Sequence, residues 1–265
     1  MTPPALVASD LDGTLVRSDG RISARSRAAL QRAEAAGALV VLVTGRPPRW
    51  MAPVARDTGH RGIAICANGA LRYDLSSERV VGHSPFAPGS AAQVVAALRD
   101  ALPDLAFAAE GAQRFAAEHT YRLEIVDDDR EMTHRIEDLL QGHETVKLLA
   151  RHPDGADPDD LLARARTAVG DLATLTHSSG DGLLEISATG VTKASALEEL
   201  AAEHGVGADG VVAFGDMPND LPMLSWAGHA VAMANAHPAV LAVADEVTAT
   251  NDDDGVAVVL ERLFA

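Results

Sequence analysis

Ala5-Leu6-Val7-Ala8-Ser9-Asp10-Leu11-Asp12-Gly13-Thr14-Leu15 sets a short apolar run directly against two acids and a glycine. A run with no polar alternation reads as a strand buried on both faces, the habit of a parallel sheet. Runs of the same kind recur at Leu39 to Val43, Ile63 to Ala67, Val211 to Phe214 and Ala230 to Met233. Between the first two lies Ser23 to Gly37, with a capping serine in front and a glycine stop behind, which predicts a helix. A second helix is predicted over Lys193 to Glu203, flanked by Thr192 and Gly205, leading into the strand at Val211. Strand, helix, strand alternation specifies an α/β fold.

The middle of the chain breaks that rhythm. Residues from about Ser84 to Ser187 hold a helical stretch (Ala91 to Leu102), strand-like runs near Leu105 and at Thr145 to Leu149, and a helix from Pro158 to Val169 capped by Asp157. Strands near Leu172 and Leu183 follow. A block of roughly one hundred residues is the size of an inserted domain. The expected division is a core of residues 1–83 and 188–265 with an insertion of 84–187.

Carboxylates two apart at a strand end point to the same side, so Asp10 and Asp12 are expected to share one small volume and to split their acidities. One then suits a nucleophile and the other a proton donor. Gly13 lets the chain turn so that backbone amides approach an anion. The second strand ends in Thr44-Gly45-Arg46, where a hydroxyl and an amide exposed by Gly45 form a grip for phosphate oxygens. Lys193 stands in the first turn of a helix, although cations are favoured at the other end, which suggests a task elsewhere. Asp216, in Gly215-Asp216-Met217-Pro218-Asn219-Asp220, also follows a strand, and with Asp10 it forms a hard-oxygen set suited to Mg²⁺. Each signal alone has a bland counterpart: a solvated Asp-Gly turn, Thr-Gly punctuation, a surface lysine, or Asn219 and Asp220 capping the next helix.

Four such pieces in this order resemble the haloacid dehalogenase-like phosphatases, in particular the Cof-type branch with a large α/β cap between the second and third motifs. Asn68-Gly69-Ala70, Ala232-Met233-Ala234-Asn235-Ala236 and Thr250 to Val256 are further family-like segments, with Ala234 standing where glycine is expected. The resemblance implies a Rossmann-like parallel-sheet core with an inserted α/β cap that closes over the site. It implies that Asp10 attacks phosphorus to give an aspartyl-phosphate. Asp12 would protonate the leaving alcohol and then take a proton from water. Mg²⁺ would be held by the Asp10 carboxylate, the Asp12 carbonyl and Asp216, with Asp220 supporting that shell. Thr44, Gly45, Lys193 and Asn219 would hold phosphate oxygens. The implied substrate is a small phosphorylated metabolite, sugar phosphates first. A phosphomutase on the same scaffold and a receiver-like module switched by phosphoaspartate are the alternatives, the second disfavoured by the insertion and by Asp12.

Composition bounds the rest. The 265 residues are 47 % hydrophobic and 23 % charged, the balance of an ordinary globular chain. A net charge of −16 disfavours a nucleic-acid partner. No apolar run approaches the roughly 18 residues of a membrane span, and Met1-Thr2-Pro3-Pro4 lacks the basic start of a signal peptide, so a cytoplasmic protein is expected. Nothing in the sequence sets an oligomeric state, and a monomer is compatible with it. Cys66 reads as a small buried thiol, and the ten histidines include no HExxH spacing for zinc. Gly205 to Gly210 fits G-x-G-x-x-G but precedes a strand instead of a helix, so it reads as a loop. Asp252-Asp253-Asp254 reads as a capping or solvated run, and Arg122, Lys147 and His177 as ordinary surface positions.

Overall fold

A computed structural model of the chain describes residues 3–122, 130–141, 144–153 and 155–265; Met1 and Thr2 of the N-terminal reading lie outside them. The chain begins with β1 (Leu6–Ser9), α1 (Ala24–Ala35), β2 (Leu39–Val43), α2 (Met51–Thr58), β3 (Ile63–Cys66), β4 (Leu71–Asp74) and β5 (Arg79–His83). It continues through α3 (Ser90–Ala101), β6 (Ala106–Glu110), β7 (Phe115–Glu118), β8 (Glu131–Thr133), α4 (Glu137–Leu140), β9 (Lys147–Arg151), α5 (Pro158–Val169), β10 (Ala173–Thr176) and β11 (Leu183–Ala188). It ends with α6 (Lys193–Glu203), β12 (Val211–Gly215), α7 (Leu221–Trp226), β13 (His229–Ala232), α8 (Pro238–Leu241), β14 (Glu246–Val247) and α9 (Gly255–Leu263). Two compact units result, one of Met1–Gly82 with Thr192–Ala265, the other of His83–Val191.

The first unit is built on an eight-stranded sheet in the order β14-β13-β12-β1-β2-β3-β4-β5. Strands β14 to β3 in that order run parallel, and β4 returns antiparallel to β3. All four residues of β1 are fully buried, as the unbroken apolar run requires. β1 lies between β2 and β12, so the chain leaves it on one side and later comes back on the other. That reversal opens a crevice at the carboxyl ends of the central strands. Helix α1 starts where Ser23 accepts from the Ser26 amide at 2.9 Å and buries Ala29, Leu30 and Ala33. The Asp252–Asp254 run holds the loop after β1: Asp252 accepts from the Ser18 amide at 2.9 Å and Asp254 from Arg17 at 2.7 Å. Asp254 occupies the cap position of α9 but makes no capping bond. Gly205 to Gly210 connects α6 to β12, and the second half of what reads as a loop, Ala208–Gly210, winds into a 3-10 turn.

The second unit carries a six-stranded sheet, β10-β11-β9-β6-β7-β8, antiparallel except for β7 with β8. Phe107, Leu148, Ala150, Leu184 and Ile186 alternate onto one face and pack with Val94, Val95 and Leu98 of α3 and Leu161, Leu162 and Ala165 of α5. The strand placed near Leu172 starts at Ala173, because Gly170–Leu172 closes α5 in a 3-10 turn. Lys147 and His177 are not surface positions: they are 3 % and 0 % exposed. Lys147 lies in the interior strand β9 and pairs with Glu185 of β11, and His177 Nε2 meets Asp159 at 2.9 Å. Arg122 is exposed, as read. No helix among the described residues is long and apolar enough to cross a membrane.

Glu118 ties this unit together. Its two oxygens accept from the Ile136 amide at 2.9 Å, the Phe107 amide at 3.0 Å and the Arg99 guanidinium. Arg99 also donates to Glu137 at 2.7 Å, and this bond is the main reason the Glu137 carboxyl drops from 4.5 to about 2. A folded-state value below the unfolded one means stability present above pH 4.5 and lost as pH falls toward 2. Acid unfolding of Glu137→Gln is therefore expected to start from lower stability at neutral pH and to converge on wild type near pH 2. A constant offset across that window would assign the effect to packing instead.

Candidate active site

Asp10 leaves β1 at the central crevice, its amide donating to the Phe214 carbonyl at 3.0 Å, and its side chain is almost fully buried. An isolated carboxylate cannot stay charged at such a place without a counterion. Lys193 supplies it. Its Nζ donates to Asp10 Oδ1 at 2.5 Å and to Asp220 Oδ1 at 2.7 Å, and the lysine is 1 % exposed. The position in α6 that looked electrostatically wrong is thus set by two carboxylates. Burial alone would lower the Lys193 pKa, but Asp10 and Asp220 outweigh it and hold it above the ordinary lysine range.

The start of α6 is fixed in its own right. Thr192 accepts from the Ser195 amide at 3.0 Å while Ser195 Oγ accepts from the Thr192 amide at 3.0 Å, a reciprocal capping box. Gly69, in the left-handed region at φ 102°, packs so closely on the Thr192 carbonyl that a Cβ there has no room.

Asp10, Asp216 and Asp220 place one carboxylate oxygen each within 4.8 Å of the others. Asp220 Oδ2 also accepts from the amides of Asp216 and Met217, both at 3.0 Å, so this acid is an anchor for the loop and for Lys193 rather than a cap of α7. Asp216 accepts from Thr14 Oγ1 at 2.7 Å. Gly13, at φ 79°, leaves the space beside Asp216 that any Cβ would fill, and its carbonyl accepts from Asn235 Nδ2 at 2.8 Å. Burial first, then Asp220, pushes the Asp216 carboxyl up to about 7. Burial likewise raises Asp10 well above the usual range, with Lys193 pulling it back and Asp220, Asp216 and Asp12 adding to the rise in that order. Three buried acids with one lysine are short of positive charge, and an oxygen-only donor set of this kind fits Mg²⁺.

Asp12 departs from its expected place. Its side chain is 61 % exposed and turned onto Arg46, whose Nε and Nη2 donate to its two oxygens at 2.8 and 2.5 Å. The anticipated acid–acid repulsion is correspondingly small: among the charged neighbours of Asp10, Asp12 contributes least. Thr44 Oγ1, buried at the end of β2, accepts from the Arg46 amide at 3.1 Å, and Gly45 between them is partly buried. Asn219 is buried and donates to Asn68 Oδ1 at 3.2 Å. Arg46 and Asn68 are the pieces that residue-by-residue reading left without a task; both stood in quoted motifs, but only folding reveals their partners. Cys66 is fully buried, and burial pushes its thiol up to about 12, which removes it as a nucleophile.

A family model for haloacid dehalogenase-like hydrolases matches residues 7–260. Two phosphatases of Bacillus subtilis (strain 168), both named for 5-amino-6-(5-phospho-D-ribitylamino)uracil, are similar over nearly the whole chain. YitU is 29 % identical, covering 100 % of this chain and 99 % of its own. YwtE is 30 % identical, with 98 % of each covered. The pyridoxal phosphate phosphatase YbhA of Escherichia coli (strain K12) is 27 % identical over 95 % of this chain and 96 % of its own. Among solved structures, TM0651 from Thermotoga maritima aligns with a TM-score of 0.75 at 28 % identity, covering 99 % of this chain and 97 % of that one.

If a divalent cation takes the acid cluster, Mg²⁺ at roughly one hundred times its Kd is expected to stabilise wild type by about 2.7 kcal/mol and so raise its melting temperature, and to leave Asp216→Asn unmoved. Without metal at pH 8 the sign reverses. A carboxyl raised to about 7 is charged there at a cost to the folded state, so metal-free Asp216→Asn is expected to melt above metal-free wild type. Thermal melts with Mg²⁺ and with EDTA check both.

Proposed function

The chain belongs to the haloacid dehalogenase-like hydrolase family, and from that premise we propose that it is a Mg²⁺-dependent phosphatase of small phosphomonoesters, with Asp10 as the nucleophile. The contact that carries this reading is the one between Lys193 and Asp10 at 2.5 Å, at the carboxyl end of the central strand and beside Asp216 and Asp220. Phosphoryl transfer asks a protein chiefly for positioning and for neutralisation of charge on the phosphoryl oxygens.

In the first step an Asp10 oxygen bonds to phosphorus as the bond from phosphorus to the leaving oxygen breaks. Asp12 gives that oxygen its proton and becomes the carboxylate. Both Asp12 oxygens are engaged by Arg46, so the acid role requires exchanging Arg46 for the leaving oxygen. In the second step Asp12 takes a proton from water, the water oxygen bonds to phosphorus and Asp10 is released. Lys193 opposes the upward push of burial on Asp10, and its ammonium, with the Thr44 hydroxyl, the Gly45 amide and Asn219, holds phosphate oxygens. Asp10, Asp216 and the Asp12 carbonyl would hold Mg²⁺ supported by Asp220, and the ion, when bound, neutralises charge on the transferred group.

Phosphate esters of sugars, polyols and cofactor alcohols are the first substrate class. Relatives named for a phosphoribityl compound and for pyridoxal phosphate both point to phosphate on a small alcohol. Substrate choice must come from residues outside the set named above, because that set recognises only the phosphoryl group.

Phosphate release from a panel of sugar, nucleotide and cofactor monophosphates tests the reading. Release is expected to require Mg²⁺ and to fall by more than about a thousandfold in Asp10→Asn. An unchanged rate in that variant overturns the nucleophile, and transfer of the phosphoryl group to a second substrate hydroxyl would indicate a mutase. Asp12→Ala is expected to lose about 10²- to 10⁴-fold in kcat while still binding metal and inorganic phosphate in a calorimeter.

A further inference from the structure

Asn68 and Asn219 form a buried amide pair in which each side chain keeps one polar atom without a hydrogen-bond partner among the described residues. Asn219 Nδ2 donates to Asn68 Oδ1 at 3.2 Å. Among the described residues Asn68 Nδ2 and Asn219 Oδ1 have no hydrogen-bond partner, although the two side chains belong to residues only 4 % and 6 % exposed. Buried amide groups in folded proteins almost always find a partner, so one left open marks a place for a ligand atom or water. Exchanging oxygen and nitrogen in both amides reverses the bond but still leaves one NH₂ group and one carbonyl open.

The topology says where this pair lies. Asn68 follows β3 and Asn219 follows β12, and β2 and β1 run between those strands. At ordinary strand spacing the gap is about 14 Å. Side chains that meet at 3.2 Å across it come together at the carboxyl ends of β1 and β2, where Asp10 and Thr44 emerge. Asn68 is pinned there by its neighbours as well. Its amide donates to the Thr44 carbonyl at 3.0 Å, and the adjoining Gly69 packs on the Thr192 carbonyl that opens the helix of Lys193. Ala67 and Asn68 both hold left-handed backbone conformations, φ 51° and 57°; asparagine tolerates this region, whereas alanine adopts it only where the surroundings impose it.

We propose that Asn68 is a positioning residue for the phosphate pocket: its Oδ1 accepts one Nδ2 proton of Asn219 and so holds that amide with its second Nδ2 proton toward a phosphoryl oxygen. The proposal rests on the phosphatase reading above and adds to it a residue from a third loop, one that locks Thr44, Lys193 and Asn219 into one arrangement. A group that grips the phosphoryl oxygens before and during transfer acts on ground-state binding, so its loss shows in KM and in product inhibition more than in kcat.

The test uses Asn68→Gly, which deletes the amide while suiting the left-handed backbone, together with Asn219→Ala and the double variant. Substrate KM and the inhibition constant of inorganic phosphate are measured with Mg²⁺ present. Asn68→Gly is expected to raise both about tenfold, the worth of one hydrogen bond to a charged group, with kcat within about threefold of wild type. In the Asn219→Ala background the same change is expected to cost less than about twofold, because the two amides act as a unit. Asn68→Asp keeps an acceptor for Asn219 but puts a negative charge beside the phosphate, and is expected to bind phosphate more weakly than Asn68→Gly. The proposal fails if Asn68→Gly matches wild type in KM and phosphate inhibition, if its loss persists in full without the Asn219 amide, or if Asn68→Asp is the milder variant. Were Asn68→Gly to fold poorly by circular dichroism, the ranking of Asn68→Asp against wild type decides: tighter or equal phosphate binding overturns it. Wild-type protein that releases no phosphate from any substrate would instead overturn the phosphatase reading itself.

Discussion

A lysine ammonium held between two carboxylates in the interior is the constraint on which the rest of the first unit turns. Lys193 carries its charge almost wholly out of water, a cost repaid only by close contact with Asp10 and Asp220. That contact explains why Asp220 folds back onto the amides of Asp216 and Met217, why a capping box fixes the first turn of α6, and why only glycine fits at position 69. Removing one partner from such a buried group typically costs about 3–5 kcal/mol, so these residues carry stability and chemistry together. The same arrangement leaves Asp216 short of positive charge. A surplus of buried negative charge is poor for stability and good for taking a divalent cation.

Much of this was legible in the chain itself. β1 could be read because a strand buried on both faces must be apolar throughout, and its carboxyl end could be read because Asp10, Asp12 and Gly13 interrupt that run at once. The odd placement of Lys193 in a first helical turn was a true signal of a distant partner, but the identity of that partner, 183 residues away, is a property of the fold. Pairings explain the misses too. Arg46 reaches Asp12 across 34 residues and Asn219 reaches Asn68 across 151, and no local pattern encodes either. Lys147 and His177 read as surface because their types usually are. Lys147 is buried on the interior strand β9 with Glu185 as its ion-pair partner, and His177, just past β10, meets Asp159 of α5. The three-residue β8 and the alanine-rich β7 escaped because they are too short or too poor in β-branched residues to stand out, and β5 because its two valines sit in an exposed–half-buried alternation and not in a continuous apolar run.

A chain with a net charge of −16 that takes an anionic substrate needs its positive charge concentrated where the anion lands. Lys193 and Arg46 supply two such charges in the crevice, and both are held by the acids assigned to the reaction. Each cation orients a carboxylate in the resting protein. The residues proposed to hold the phosphoryl group all lie in the first unit, and none lies in His83–Val191.

The most direct measurement is to find the phosphorylated residue. An aryl phosphate such as p-nitrophenyl phosphate has a leaving group that needs no proton, so Asp12→Ala can still be phosphorylated by it while the water step is slowed for want of a base. That variant, given Mg²⁺ and the aryl phosphate, quenched in acid and digested, is expected to carry phosphate on the peptide containing Asp10. A phosphate adduct on any other residue, or nitrophenol released with inorganic phosphate at the wild-type rate and no adduct, would contradict Asp10 as the nucleophile.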